Sequence, residues 1–185
     1  MNAHRLIPAL IAVALLACSA AVAEDLVLNG SGMRTKPLLG AMYDLSLHLP
    51  AQMQGAHPKA IIEDARPMEL VLTLRSSLIN RARFVEATSG GFAKAAESGY
   101  ASDQTDAFLD QFAGIEFRKG DTISMRYENG GLVTTYRKTA TKKSPAAETR
   151  LGRIPGLELK QALFAIWLGE APVQKSLKQG LLGQP

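Results

Sequence analysis

The stretch LNGSGMRTKPLLGAMYDLSLHLP, Leu28 to Pro50, decides the fold. Its second half alternates, with Tyr43, Leu45, Leu47 and Leu49 on one side and Met42, Asp44, Ser46 and His48 on the other. A period of two is the mark of a strand with one buried face. Just upstream, Arg34 stands between a Gly-rich turn, Gly30-Ser31-Gly32, and an apolar run. A guanidinium at the entrance to a core strand needs a partner or an exit to water.

Working outward, further strands appear. Leu26 and Leu28 precede the stretch, and Glu69–Arg75 puts Leu70, Leu72 and Leu74 on one face. Thr122–Tyr127 alternates Ile123, Met125 and Tyr127 with polar residues, and Leu132–Arg137 follows after Asn129-Gly130-Gly131. Asn-Gly between two such runs predicts a hairpin, because both turn residues take positive φ. Short connections of this kind predict an antiparallel sheet.

Helical spacing interrupts the strands. Leu78, Ala82, Val85, Phe92 and Ala96 predict one helix, in which Gly90-Gly91 marks a kink or a close approach of another backbone. Asp103 is placed to cap a short helix carrying Phe108, Leu109 and Phe112. Leu159, Ala162, Leu163, Ile166 and Trp167 form a stripe ended by Gly169; Pro172, Val173, Leu177 and Leu181 begin another. The segment 140–149 reads as a flexible loop. The class is α+β in one domain, residues 24–185.

Residues 1–23 read as a secretory signal: Arg5, an apolar run Leu6–Leu16, then Ala21-Val22-Ala23 before Glu24. The run is shorter than the ~20 residues of a spanning helix. The expected location is therefore periplasmic. The alternative is a lipoprotein, since Leu15-Leu16-Ala17-Cys18 also resembles a lipidation site, and only a lipidated Cys18 would then give membrane association. Cleavage after Ala23 removes the single Cys, so stability has to come from a packed core.

Charge is nearly balanced, 21 Lys+Arg against 17 Asp+Glu. The local excess in residues 134–160 lacks the interleaved aromatics of a nucleic-acid surface, and no nucleic-acid partner is expected. It reads as a solvated loop, or as the contact face of an envelope protein-interaction module.

Most catalytic patterns are missing. His48 and His57 have no second ligand at metal spacing, so no metal is expected. Gly30-Ser31-Gly32 is an incomplete phosphate loop followed by a strand, and no cofactor is expected. Ser89 in ATSGG lies within a helical pattern, away from any strand-to-helix elbow. Arg34 remains, with two readings. Its stem can cover apolar surface while the head reaches water. Or the guanidinium points into a cavity between sheet and helices, where it needs an anion. Tyr43, nine residues on, would share its face only if Pro37 to Gly40 make a tight turn or a bulge.

Gly30-Ser31-Gly32-Met33-Arg34-Thr35-Lys36 with Tyr43 and the Leu45–Leu49 strand resembles the opening of chalcone isomerase-like proteins. Ile154-Pro155-Gly156 and ALFAIWLGEAPVQKSLKQGLLG, Ala162 to Gly183, are similar to the family's closing helices. The resemblance implies a large antiparallel sheet covered on one face by helices, an open-faced β-sandwich with a ligand cleft between the layers. It also implies one of two activities. Plant enzymes of the family cyclise a chalcone to a flavanone, their Arg attracting the phenolate. Non-catalytic members bind fatty acids, an Arg and a Tyr holding the carboxylate. Arg34 matches the shared Arg; Tyr43 falls where the enzymes have a catalytic Thr and suits the second branch. The enzymes' further Tyr and Asn come from a central region that is shorter here, where Tyr100 is the one nearby Tyr.

The expectation is an exported, non-catalytic protein binding a small apolar acid or lipid. Arg34 and Tyr43 would hold the acid, with Thr35 and Lys36 at the mouth. The rivals are an isomerase using Arg34, and the envelope interaction module.

Overall fold

The computed structural model describes residues 25–184. The expected signal segment and Cys18 lie outside them. Six strands run in sequence order across one antiparallel sheet: β1 (Leu26–Lys36), β2 (Gly40–Pro50), β3 (Met68–Leu74), β4 (Thr122–Glu128), β5 (Gly131–Lys138) and β6 (Ala147–Pro155). Among the described residues there are five α-helices: α1 (Pro58–Glu63), α2 (Arg81–Glu97), α3 (Thr105–Asp110), α4 (Glu158–Leu168) and α5 (Lys175–Leu181).

Alternation sorts the sheet's two faces. Leu45, Leu47, Leu49, Leu70, Leu72, Leu74, Ile123, Met125 and Tyr127 are buried beneath the helices. The opposite face carries Asp44, Ser46, His48, Glu69, Ser124 and Arg126, with ion pairs from Arg126 to Glu69 and Glu128. The Ser46 hydroxyl and His48 Nε2 bond each other there at 3.1 Å. One face packed and one face polar is the expected open-faced arrangement. Asn129 and Gly130 take φ of 49° and 75°, as the β4–β5 hairpin requires.

Between sheet and helices, Phe84, Phe108, Phe112 and Phe117 meet edge to face, with centroids 4.8–5.9 Å apart. α4 is buried nearly all round, Lys160 included. Its Nζ donates to the carbonyls of Ile61, Ile62 and Asp64 at the end of α1, and it lies 4.7 Å from the Phe164 ring centre. Lys160 thereby supplies the donors that a helix C-terminus lacks. Burial pulls its ammonium down to about 7, against the pull of the Asp64 carboxylate.

Four expectations need correction. Gly30-Ser31-Gly32 is strand, inside the unbroken β1. On that strand Gly30, Gly32 and Arg34 share the helix-covered face, opposite Leu47, Leu45 and Tyr43. A Cβ on Gly30 would sit 2.3 Å from the Gly180 carbonyl oxygen, and one on Gly32 2.9 Å from Leu177. The glycines therefore admit the backbone of α5 against the sheet. Gly91 likewise faces the Ile166 side chain of α4, and α2 runs through it unbroken. Asp103 caps nothing, since α3 starts after Gln104 without a side-chain cap. Part of the 140–149 loop belongs to β6, the exposed edge strand, whose Glu148 pairs with Arg137.

Candidate functional site

The β1–β2 hairpin meets the geometric condition set by the sequence. Arg34 and Tyr43 are direct cross-strand partners and so lie on one face. Two features produce this. A turn closes between Lys36 and Leu39, and the register slips beyond Arg34, where Thr35 pairs with Ala41. Met42 is thus an extra residue on β2, a bulge whose carbonyl accepts from the N–H groups of Arg75 and Ser76. The bulge lets Met42 and Tyr43 line the same space.

That space is a cavity of about 670 Å³ between the sheet, α2 and α4. Its floor is Tyr43, Leu72 and Leu74; its roof includes Phe84, Gly90, Gly91 and Ile166. Gly90, where a Cβ would meet nothing within 4 Å, leaves room that a larger side chain of α2 would take up.

Arg34 closes one end. Its Nη1 donates to the Thr35 carbonyl and to Gln174 Oε1, each at 2.8 Å. Gln174 in turn accepts from the Thr35 N–H and donates to the Met33 carbonyl, so the segment entering α5 fixes the guanidinium. No carboxylate pairs with Arg34 among the described residues, and its other nitrogens stay available. The Tyr43 oxygen accepts from Trp167 Nε1 at 3.0 Å. An indole only donates, so the phenol keeps its own O–H proton for an acceptor in the cavity. Burial pushes that phenol above its ordinary range, against the Trp167 hydrogen bond and the Arg34 charge, and keeps it protonated. A cation and an O–H donor side by side suit one carboxylate or a similar anion.

The other named residues divide. Lys36 lines the cavity at its mouth. Thr35 does not line it; its contribution is the backbone bond to Gln174. Tyr100 lies elsewhere, donating to Glu63 Oε1 at 3.1 Å and lining a separate cavity of about 250 Å³ beside α3. Among the described residues, no three His, Cys, Asp or Glu side chains gather as a metal site would need. Sequence reasoning missed Gln174, the Trp167 indole N–H, and Arg83 and Lys94 at the cavity. Trp167 read as core, and it is core by area; only its one polar atom reaches the site.

Sheet, helices and cavity together define an open-faced α+β protein with an apolar chamber closed by a cation. The chain belongs to the chalcone isomerase-like family, whose model matches residues 12–183. Among solved structures it is similar to the fatty-acid binding protein of Arabidopsis thaliana, with a TM-score of 0.62 and 18% identity. That match covers 88% of this chain and 89% of the other, and it establishes the shared fold. No curated protein matches the chain by sequence.

Proposed function

We propose that this chain binds a small apolar acid, of fatty-acid type, in the chamber between sheet and helices, without catalysis. The observation that carries the reading is the pairing of Arg34 with Tyr43, both with donors free, at one end of a cavity otherwise walled mainly by apolar side chains. A few convergent polar groups in an apolar pocket are the usual design of a small-molecule site. The similar Arabidopsis protein is itself described as a fatty-acid binding protein, which supports the same ligand class. The cyclisation of the plant enzymes depends on several donors aimed at developing charge, and of their site residues Arg34 alone has a match in this chain. Thr35 and Lys36 assist from outside, Thr35 through Gln174 and Lys36 as a charge at the mouth. The chain acts after export, released by cleavage before Glu24.

Gentle native purification followed by organic extraction and mass spectrometry should recover an apolar acid. Arg34→Ala should weaken fatty-acid binding by ~1.5–3 kcal/mol, the range for a hydrogen bond to a charged group. Unchanged affinity in that variant would end the reading. Chalcone absorbance lost faster than background, and only with Arg34 present, would replace it with an isomerase. Intact mass of the exported protein should place its N-terminus at Glu24; an acylated Cys18 would contradict that.

A further inference from the structure

The turn between β1 and β2 carries a residue that serves nothing inside the molecule. The Leu39 N–H donates to the Lys36 carbonyl at 3.1 Å, with Pro37 and Leu38 in the middle of the turn. Leu38 has φ of 63°, the left-handed region. In a turn that begins with Pro, that position is normally filled by Gly or Asn, because a branched side chain is strained there. Leu38 is also fully exposed, at 105% of its reference area. It is strained, and it gains no burial in return.

Its neighbours extend the patch. Leu39 and Leu78 are exposed at 52% and 41%, and both line the cavity. The apolar side chains therefore sit at the cavity's opening. The charged residues of that lining are Arg34, Lys36, Arg83 and Lys94, against Glu86 alone. The side-chain ammonium groups of Lys36 and Lys94 make no hydrogen bond or ion pair among the described residues.

We propose that this rim docks on an anionic phospholipid bilayer. Leu38 and Leu39 enter the boundary between headgroups and acyl chains, and Lys36, Arg83 and Lys94 meet headgroup phosphates. Apolar side chains on a projecting turn, ringed by cations of one sign, match the two attractions that hold proteins at such surfaces. The shared positive charge of the rim selects an anionic lipid surface as the occupant. Docking also turns the cavity mouth toward the lipid, so an apolar acid passes between bilayer and chamber without crossing water. That last consequence rests on the ligand reading above; the docking itself does not.

The test is flotation of the purified protein with vesicles of mixed phosphatidylglycerol and phosphatidylcholine, and with phosphatidylcholine alone. Wild type should float with the anionic vesicles and detach as salt is raised. Leu38→Gly should bind them about tenfold more weakly or worse, the effect of removing one buried apolar side chain. The same variant should unfold at higher urea, because glycine fits the turn, so lost flotation cannot be blamed on misfolding. Its equilibrium affinity for a soluble fluorescent fatty acid should be unchanged, since Leu38 does not line the cavity. Absence of flotation with wild type, or equal flotation of Leu38→Gly, overturns the proposal, even if the fatty acid binds. Leu38-dependent flotation in a protein that binds no fatty acid supports the docking and removes the ligand reading.

Discussion

At the scale of the residue, Arg34 and Tyr43 differ in what they can lose. Arg34→Lys should recover only part of the affinity lost in Arg34→Ala, because an ammonium lacks the two-pronged contact with a carboxylate. Tyr43→Phe removes one neutral donor and should cost ~0.5–1.5 kcal/mol of binding, read by titration calorimetry. It also strips Trp167 Nε1 of its acceptor, so some of that loss will appear as stability. Arg34 stood out in the sequence as a guanidinium at the mouth of an alternating strand, and Tyr43 as a phenol on that strand's apolar side. Their common face was legible only as a condition, since a one-residue bulge at Met42 leaves no compositional trace. A second residue-scale prediction concerns Tyr136, buried with its hydroxyl donating to Asp121. Burial first, then the Asp121 carboxylate, push its phenol far above the ordinary tyrosine range. A folded pKa above the unfolded value means the contribution is whole below pH ~10 and lost as pH rises beyond it. The urea midpoint of wild type should therefore fall more steeply than that of Tyr136→Phe as pH rises above about 10. At neutral pH the variant should be less stable by ~1–3 kcal/mol, because the buried Asp121 loses a donor.

At the scale of the element, glycine position decides the outcome. Gly90 and Gly91 are consecutive in α2, yet a Cβ on Gly90 meets nothing within 4 Å, while one on Gly91 lies 2.9 Å from Ile166. Gly90→Ala should stabilise the protein by ~0.5–1 kcal/mol through helix propensity. Gly91→Ala should lose that gain or reverse it, by separating α2 from α4. Chemical denaturation of the two variants side by side separates the effects. The sequence showed a helix here and put Val85 and Phe92 on its inner face, but mistook the rest of that face. The buried residues are Phe84, Phe92 and Ala95, whereas Ala82 and Ala96, chosen for their spacing, are exposed. Two small residues flanking a glycine pair cannot fix a helical phase. That error also hid Arg83 and Lys94 as cavity residues. β6 escaped because an exposed edge strand buries little, so its first residues, Ala147-Glu148-Thr149-Arg150, show no apolar alternation. α1 escaped because six residues opening on Pro58 are too few for a period to show. Lys160 was counted with the basic run 134–160, and nothing in its neighbours announces a lysine that caps another helix from within the core.

At the scale of the whole molecule, the sheet and its helical cover were readable because both obey simple periods, two and 3.6. The chamber between them was readable only through Arg34 and the family resemblance, since empty volume has no residues of its own. A cavity of about 670 Å³ leaves its walls short of contacts, so a ligand that fills it should stabilise the fold as a whole. At a hundredfold excess over Kd, a bound fatty acid should add ~2.7 kcal/mol, visible as a rise in melting temperature that Arg34→Ala loses. The last consequence comes from α5. It lies on Gly30 and Gly32 of β1, and Gln174 just ahead of it holds Arg34, a residue 140 positions earlier. The earliest described strand is therefore finished by the latest described helix. A chain emerging from the ribosome carries β1 with its glycine groove open and its guanidinium untethered until residues 174–183 have been made. Synthesis can lay down the hairpins in order, each strand beside the one before it. The anion seat has no such early start: it is assembled in one late event, when the tail returns to the head.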